Sequence, residues 1–219
     1  MDFEFIHKYA PLYVEAAGLI ARIAFFGIVF SLAVGLVCGF ILHEKIPVLR
    51  RIVSAYVELS RNTPLLVQLF FLYSGLPKLG IMLSSEKCAI VGLTFLGGGY
   101  MCESIRSGLG SIEPIQAESA YSLGLTPVQT MRYVLFPQAV AVAFPAITAN
   151  MIFLIKETSV VSAIALADLM FVAKDLIGLY YQTDEALFML VISYLVILLP
   201  VSIAASLVER RLRYAGFGN

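Results

Sequence analysis

Charge is what this chain has least of. Its 219 residues carry 15 Lys and Arg against 15 Asp and Glu, so only 14% are charged and the net charge is zero. Soluble domains carry about 25%. Hydrophobic residues make up 60% of the chain, and the mean hydropathy is +0.90. A globule this apolar would expose large adhesive patches, so the bilayer is the expected solvent. With no basic surplus there is no field to hold nucleic acid, and none is expected as a partner. Trp is absent. The three cysteines, Cys38, Cys88 and Cys102, have no CxxC or metal spacing and sit in or beside apolar runs. They read as small buried hydrophobes. His7 and His43 are far apart in sequence, so no metal site is expected. A GxxxxGK[ST] loop is also missing, so phosphate cannot be cradled in that way. The opening "MDFEFIHKYAPLYVEAAG" lacks the cationic start and small-residue cleavage site of a signal peptide, and the first apolar segment is expected to remain in the mature protein.

What the chain has is long uncharged runs. A helix needs about 20 apolar residues to cross a bilayer. Residues 23–42, 133–155 and 186–208 carry no charge. Two weaker candidates lie at 52–76, which holds Glu58, Arg61 and Pro64, and at 88–106. The expectation is an all-α polytopic membrane protein, a single domain over 1–219 with five spans at about 19–42, 52–76, 88–106, 133–156 and 186–208. Pro64 removes a helix hydrogen bond, so the second span should be broken and its freed groups satisfied by protein.

Lys and Arg set the orientation. Lys45, Arg50 and Arg51, then Arg106 and Arg132, then Arg210, Arg211 and Arg213 put eight basic residues on one side; Lys8, Lys78, Lys87 and Lys174 put four on the other. The N-terminus is therefore expected outside, and the C-terminus and the loop 107–132 in the cytoplasm. "SVVSAIALA", within 156–185, is only nine residues long, and fits a re-entrant segment buried against other helices.

The loop itself is patterned. Pro114 suits a first helical turn, and Gly124 stands where a helix would stop in left-handed conformation. Thr126-Pro127-Val128-Gln129 reads as a capping box with proline at the first position. Two short helices around a glycine are a helix-turn-helix, but the second offers only Gln129 and Arg132 to a base or phosphate before its charge-free run. A half-apolar cytoplasmic helix is better suited to docking on another protein.

Glu118-Ser119-Ala120, then Gly124, Val134, Phe136 and Pro137, resembles in spacing the EAA loop of ABC-importer permeases, with Ser, Val and Phe as mild departures in size. "ELSRNTPLLVQLFFLYSGLP", "GYMCESIRSGLGSI" and "LIKETSVVSAIALADLM" resemble the polar amino acid importer subfamily. The resemblance covers roughly residues 15 to 215. It implies a type I importer-like permease in the cytoplasmic membrane of a prokaryote, with Glu118, Ser119, Ala120, Gly124 and Pro137 coupling to the ATPase. The implied partners are a second permease chain, two ATP-binding cassette ATPase subunits, an extracytoplasmic amino-acid-binding protein, membrane lipid and the amino acid. ATP and Mg belong to the ATPases, and this chain is expected to hold no cofactor and to be no enzyme.

Charges inside a membrane are costly and mark candidate sites. Arg61 lies about 14 Å into its span, near mid-bilayer. Glu58, three residues earlier, shares its face. Two readings stand open: a local ion pair that hides both charges, or a guanidinium that grips a substrate carboxylate at two points. Glu103 and Arg106 are one turn apart and form a pair that could reach Arg61. Asn150, Phe153 and Glu157 share a helix face. The resemblance implies that Asn150, Lys156, Thr158 and Ser162 line the path. Asp168 either neutralises a cationic substrate or caps a helix. Gly97-Gly98-Gly99 is expected to let two helices approach closely. Two further classes stay open: an ion-coupled secondary transporter, which predicts inverted repeats that are not found, and a membrane-anchored regulator binding DNA, against which the composition argues.

Overall fold

The computed structural model describes residues 1–44 and 46–216, with side chains through Arg211. Lys45 and the Arg213 side chain, both counted among the basic residues, lie outside the described residues. The fold is all-α. Among the described residues, four helices are long and apolar enough to cross a membrane: Phe3–His43, Ser85–Gly110, Pro127–Ile164 and Thr183–Arg211.

Helix α1, Phe3–His43, starts well before the expected boundary at 19. Its 41 residues extend roughly 60 Å, about twice the thickness of a hydrocarbon core. Asp2 caps its start by accepting from the Glu4 and Phe5 amides. The apolar positions of the sixteen residues ahead of that boundary serve tertiary packing, not the span. Phe5, Tyr13, Ala16 and Ile20 form one buried stripe against the later helices α8, Leu169–Tyr180, and α9, Thr183–Gly216.

The expected span 52–76 is not one helix. It divides into α2, Pro47–Asn62, and α3, Leu65–Phe70, followed by a π turn at Phe71–Gly75 and a 3-10 turn at Leu76–Leu79. Thr63 is extended before Pro64, as the proline ring requires. The freed carbonyls of Ser60 and Thr63 both accept from the buried Gln68 Nε2, at 3.1 and 2.9 Å. The side chain that makes the break tolerable is thus one turn beyond it.

Helix α4, Ser85–Gly110, is the centre of the bundle. The three expected glycines do admit close neighbours. A Cβ on Gly97 would strike Ser31 and Leu154, on Gly98 Tyr56 and Val34, and on Gly99 Ser60. At the α1 side of the same contact, a Cβ on Gly35 would lie 2.9 Å from the backbone nitrogen of Cys102. Backbone cannot move aside as a side chain can. Gly35→Ala is therefore expected to cost about 1–3 kcal/mol, read as an earlier loss of the monodisperse protein on heating in detergent. An unchanged melting point would mean the helices separate freely.

After α4 come α5, Pro114–Ser122, and α6, Pro127–Thr130, then a π turn at Met131–Leu135 that runs into α7, Phe136–Glu157. A 3-10 turn, Thr158–Ile164, leads to α8. The segment expected to be re-entrant is this turn plus α8, too short to span and packed on α1, α3, α7 and α9.

Candidate functional site

Two places carry the chemistry. The first surrounds Tyr100 on α4. Gly99 lets α2 pack close: a Cβ there would stand 3.2 Å from Arg61 Cγ. Arg61, in the last turn of α2, lies over the Tyr100 ring, 5.3 Å from its centroid. Its Nη1 is 3.9 Å from Glu103 Oε2. Glu103 is engaged more tightly by Arg106, whose Nη2 and Nε donate at 2.7 and 3.3 Å. Arg61 therefore holds only a distant share of one carboxylate, and most of its five donors are unspent.

Of the two readings left open for Arg61, the local ion pair with Glu58 is not formed. Glu58 instead accepts from Asn62 Nδ2 at 2.9 Å. Asn62 ends the helix before the break, and its amide also bonds the Glu58 carbonyl. The Glu103–Arg106 pair, and its reach to Arg61, are as expected. From α7, Asn150 Nδ2 donates to Ser104 Oγ at 2.9 Å and to the Tyr100 carbonyl at 3.4 Å. Phe153 sets its ring edge-on to Tyr100 at 5.3 Å. Arg61, Glu103 and Asn150 are thus brought to one turn of α4.

The other expected site residues stand apart. Lys156 is exposed at the end of α7, whereas Thr158 is buried and spends its hydroxyl on the Ile155 carbonyl at 2.7 Å. Ser162 accepts from Lys174 Nζ at 3.3 Å. Asp168 is fully buried and caps α8 by accepting from the Phe171 amide at 2.8 Å. Of its two expected roles, capping is the one its geometry fills. Tyr100, Ser104 and Gln68 escaped the sequence reading. Tyr100 alone had a signal there, one helical turn before Glu103.

A groove of about 500 Å³ lies beside the helix break, lined by Leu59, Val67, Phe71, Val91 and Phe95 among others. No charged side chain lines it, and Thr63 and Gln68 are the polar members of its lining, so it offers no counter-charge to a zwitterion.

The second place is the α5 corner. Gly124 has φ +82°. Its amide donates to the Tyr121 carbonyl and the Leu125 amide to the Ala120 carbonyl, the paired bonds of a Schellman stop. Thr126 and Gln129 form the expected reciprocal capping box. Only Ala120 of α5 is buried. Ile115, Tyr121, Leu123 and Val128 are exposed, Leu123 by 81%. Glu118 and Ser119 are exposed beside them, and Pro137 begins α7. A polar loop that displays four apolar side chains is built to be covered.

Comparison with known proteins follows the same lines. The family model described as binding-protein-dependent transport system inner membrane component matches residues 19–214. The probable glutamine ABC transporter permease protein GlnP of Bacillus subtilis (strain 168) is 37% identical over 87% of each chain. The arginine transport system permease protein ArtQ of the same organism is 32% identical, over 97% of this chain and 98% of that one. A solved structure of an amino acid ABC transporter with histidines is 33% identical, with a TM-score of 0.88 over 96% of this chain and 99% of the other.

Proposed function

The chain belongs to the family of binding-protein-dependent transport inner membrane components, and we propose that it is the permease subunit of an ATP-driven importer of a polar or charged amino acid. The observation that carries the substrate class is Arg61. It is a guanidinium with unspent donors at a helix break, in a bundle with few other charges, and relatives of this chain are named for glutamine and arginine transport. Every α-amino acid presents a carboxylate, which a guanidinium can hold at two points. Glu103 and Asn150 supply an acceptor and an amide within the same turn, matching the ammonium end.

In this reading the α5 corner docks in a cleft of each ATPase. Its exposed Leu123, Tyr121 and Ile115 fill the cleft, and Glu118 meets a cation there. A second permease chain completes the pore, and an extracytoplasmic receptor delivers the solute to the side on which the N-terminus lies. ATP is hydrolysed in the partners, and this chain turns their closure into alternating access.

The test is uptake of labelled amino acids into vesicles that contain the chain with its co-purified partners. Uptake that needs both ATP and a soluble receptor is expected. ATP-independent uptake driven by an ion gradient would overturn the reading in favour of a secondary transporter.

A further inference from the structure

Away from Tyr100, a cleft of about 460 Å³ joins two opposite charges. One wall is the 12–22 stretch of α1, which brings Glu15, Gly18 and Arg22 into the lining, and the other holds Ala167 and Val172. Glu15 and Arg22 are two turns apart on one face of α1, so their Cα atoms stand roughly 10 Å apart along the axis. Glu86, in the first turn of α4, orients Arg22: Nε stands 2.8 Å from Oε1, and Nη2 donates to Oε2 at 2.9 Å. That fork occupies one edge of the guanidinium and leaves the Nη1 donors unspent. The Glu15 carboxylate has no hydrogen-bond or ion-pair partner among the described residues. Glu86 cancels Arg22, so the cleft keeps an excess of one negative charge.

Gly18, between the two charges, is an independent observation. A glycine inside a helix is destabilising relative to alanine, so it needs a reason. At the other glycines of α1 the reason is α4: a Cβ on Gly27, Gly35 or Gly39 would press on Leu93, Met101 or Ile105. At Gly18 a Cβ would meet nothing within 4 Å. The room it leaves opens on the cleft, and no part of the chain fills it.

We propose that this cleft is a second amino-acid site, which takes a dibasic amino acid laid along α1. Its carboxylate meets the free edge of Arg22, its terminal cation meets Glu15, and its methylene chain lies over Gly18 against Ala167 and Val172. The spacing and the charge select this ligand. A neutral amino acid carries its ammonium and carboxylate side by side and cannot reach both groups. The ammonium and phosphate of a lipid headgroup are also too close together. A dibasic amino acid separates its charges by the length of a side chain and brings the one positive charge that the cleft lacks. With the N-terminus outside, the cleft lies on the receptor's side, ahead of the site around Arg61. That role in transport, and the narrowing of the imported class to cationic amino acids, rest on the proposed function. The binding itself does not.

The experiment measures equilibrium binding of labelled L-arginine to the purified full chain in detergent, in an Arg61→Gln background that removes the site around Tyr100. Binding is expected to persist there. Glu15→Gln and, separately, Gly18→Leu should each weaken it at least about tenfold. Unlabelled lysine should displace the label, whereas glutamine and phosphatidylethanolamine should not. Gly18→Leu should keep or raise the thermal midpoint, because leucine favours the helix and has room. Its lost binding is then not lost folding. No binding in the Arg61→Gln background, binding by either variant equal to its parent, or displacement by glutamine or phosphatidylethanolamine would overturn the site. In vesicles Glu15→Gln should raise KM for arginine several-fold at a similar maximal rate and leave KM for glutamine unchanged. An unmoved KM for arginine would overturn the role in substrate choice. A wild type that imports no amino acid would sink the functional reading, while the binding series would still decide the cleft.

Discussion

Gly124→Val is expected to abolish transport while the helices stay inserted and the chain remains foldable. Gly124 sits at φ +82°, and nothing lies within 4 Å of where its Cβ would be. The damage therefore comes from the backbone alone. A β-branched residue in left-handed conformation is strained by about 1–2 kcal/mol or more. The corner would relax by giving up the bonds from the Gly124 and Leu125 amides, which swings Leu123 and Tyr121 out of place. Gly124→Asn is the control, because asparagine tolerates this conformation, and it should keep most of the activity. The measurement is ATPase activity stimulated by the loaded receptor in membranes. Stimulation that persists in Gly124→Val would mean that the α5 corner is not the coupling element.

Arg61→Lys is expected to cut uptake at least about tenfold, the factor set by roughly 1.4 kcal/mol of lost two-point bonding, while assembly with the ATPase persists. Lysine keeps the charge but not the planar fork. Arg61 is held loosely, by a ring face and by a carboxylate at 3.9 Å that already serves Arg106. Its donors are thus available to a ligand. Glu58→Gln should change uptake less than twofold, because Glu58 bonds Asn62 instead. If Arg61 matters only as the partner of Glu103, then Arg61→Lys should be mild. In that case the double change Arg61→Gln with Glu103→Gln should also restore uptake, and recovery there would sink the substrate role.

Much of the fold was legible because its signals are local. Uncharged runs near 20 residues marked α1, α7 and α9, and a shorter apolar run marked α4, since bilayer thickness acts on length and composition alone. The α5 corner was readable residue by residue: Pro114 starts it, Gly124 stops it, and Thr126 and Gln129 restart the chain. Capping and left-handed turns depend on neighbours within five residues, so sequence suffices for them. The glycine triple also announced a close helix contact, though not which side chains would enter it.

The expectations that had to be revised depended on partners distant in the chain. The Glu58 and Arg61 spacing allowed an ion pair, yet the approach of α2 to α4 at Gly99 gave Arg61 to Glu103 and Tyr100, 42 and 39 positions away. The first span was expected from about residue 19, yet the helix begins at Phe3, and the sixteen residues before that boundary pack on α8 and α9. By itself the sequence determined the solvent, the all-α class, the break at Pro64 and the shape of the α5 corner. The tertiary structure decided which charge meets which, and that Asp168 is a buried cap. The physical reason is reach. Propensity, capping and hydropathy act along a few residues of chain, whereas a hydrogen bond or an ion pair acts across a few ångströms of space, and only folding brings such groups together.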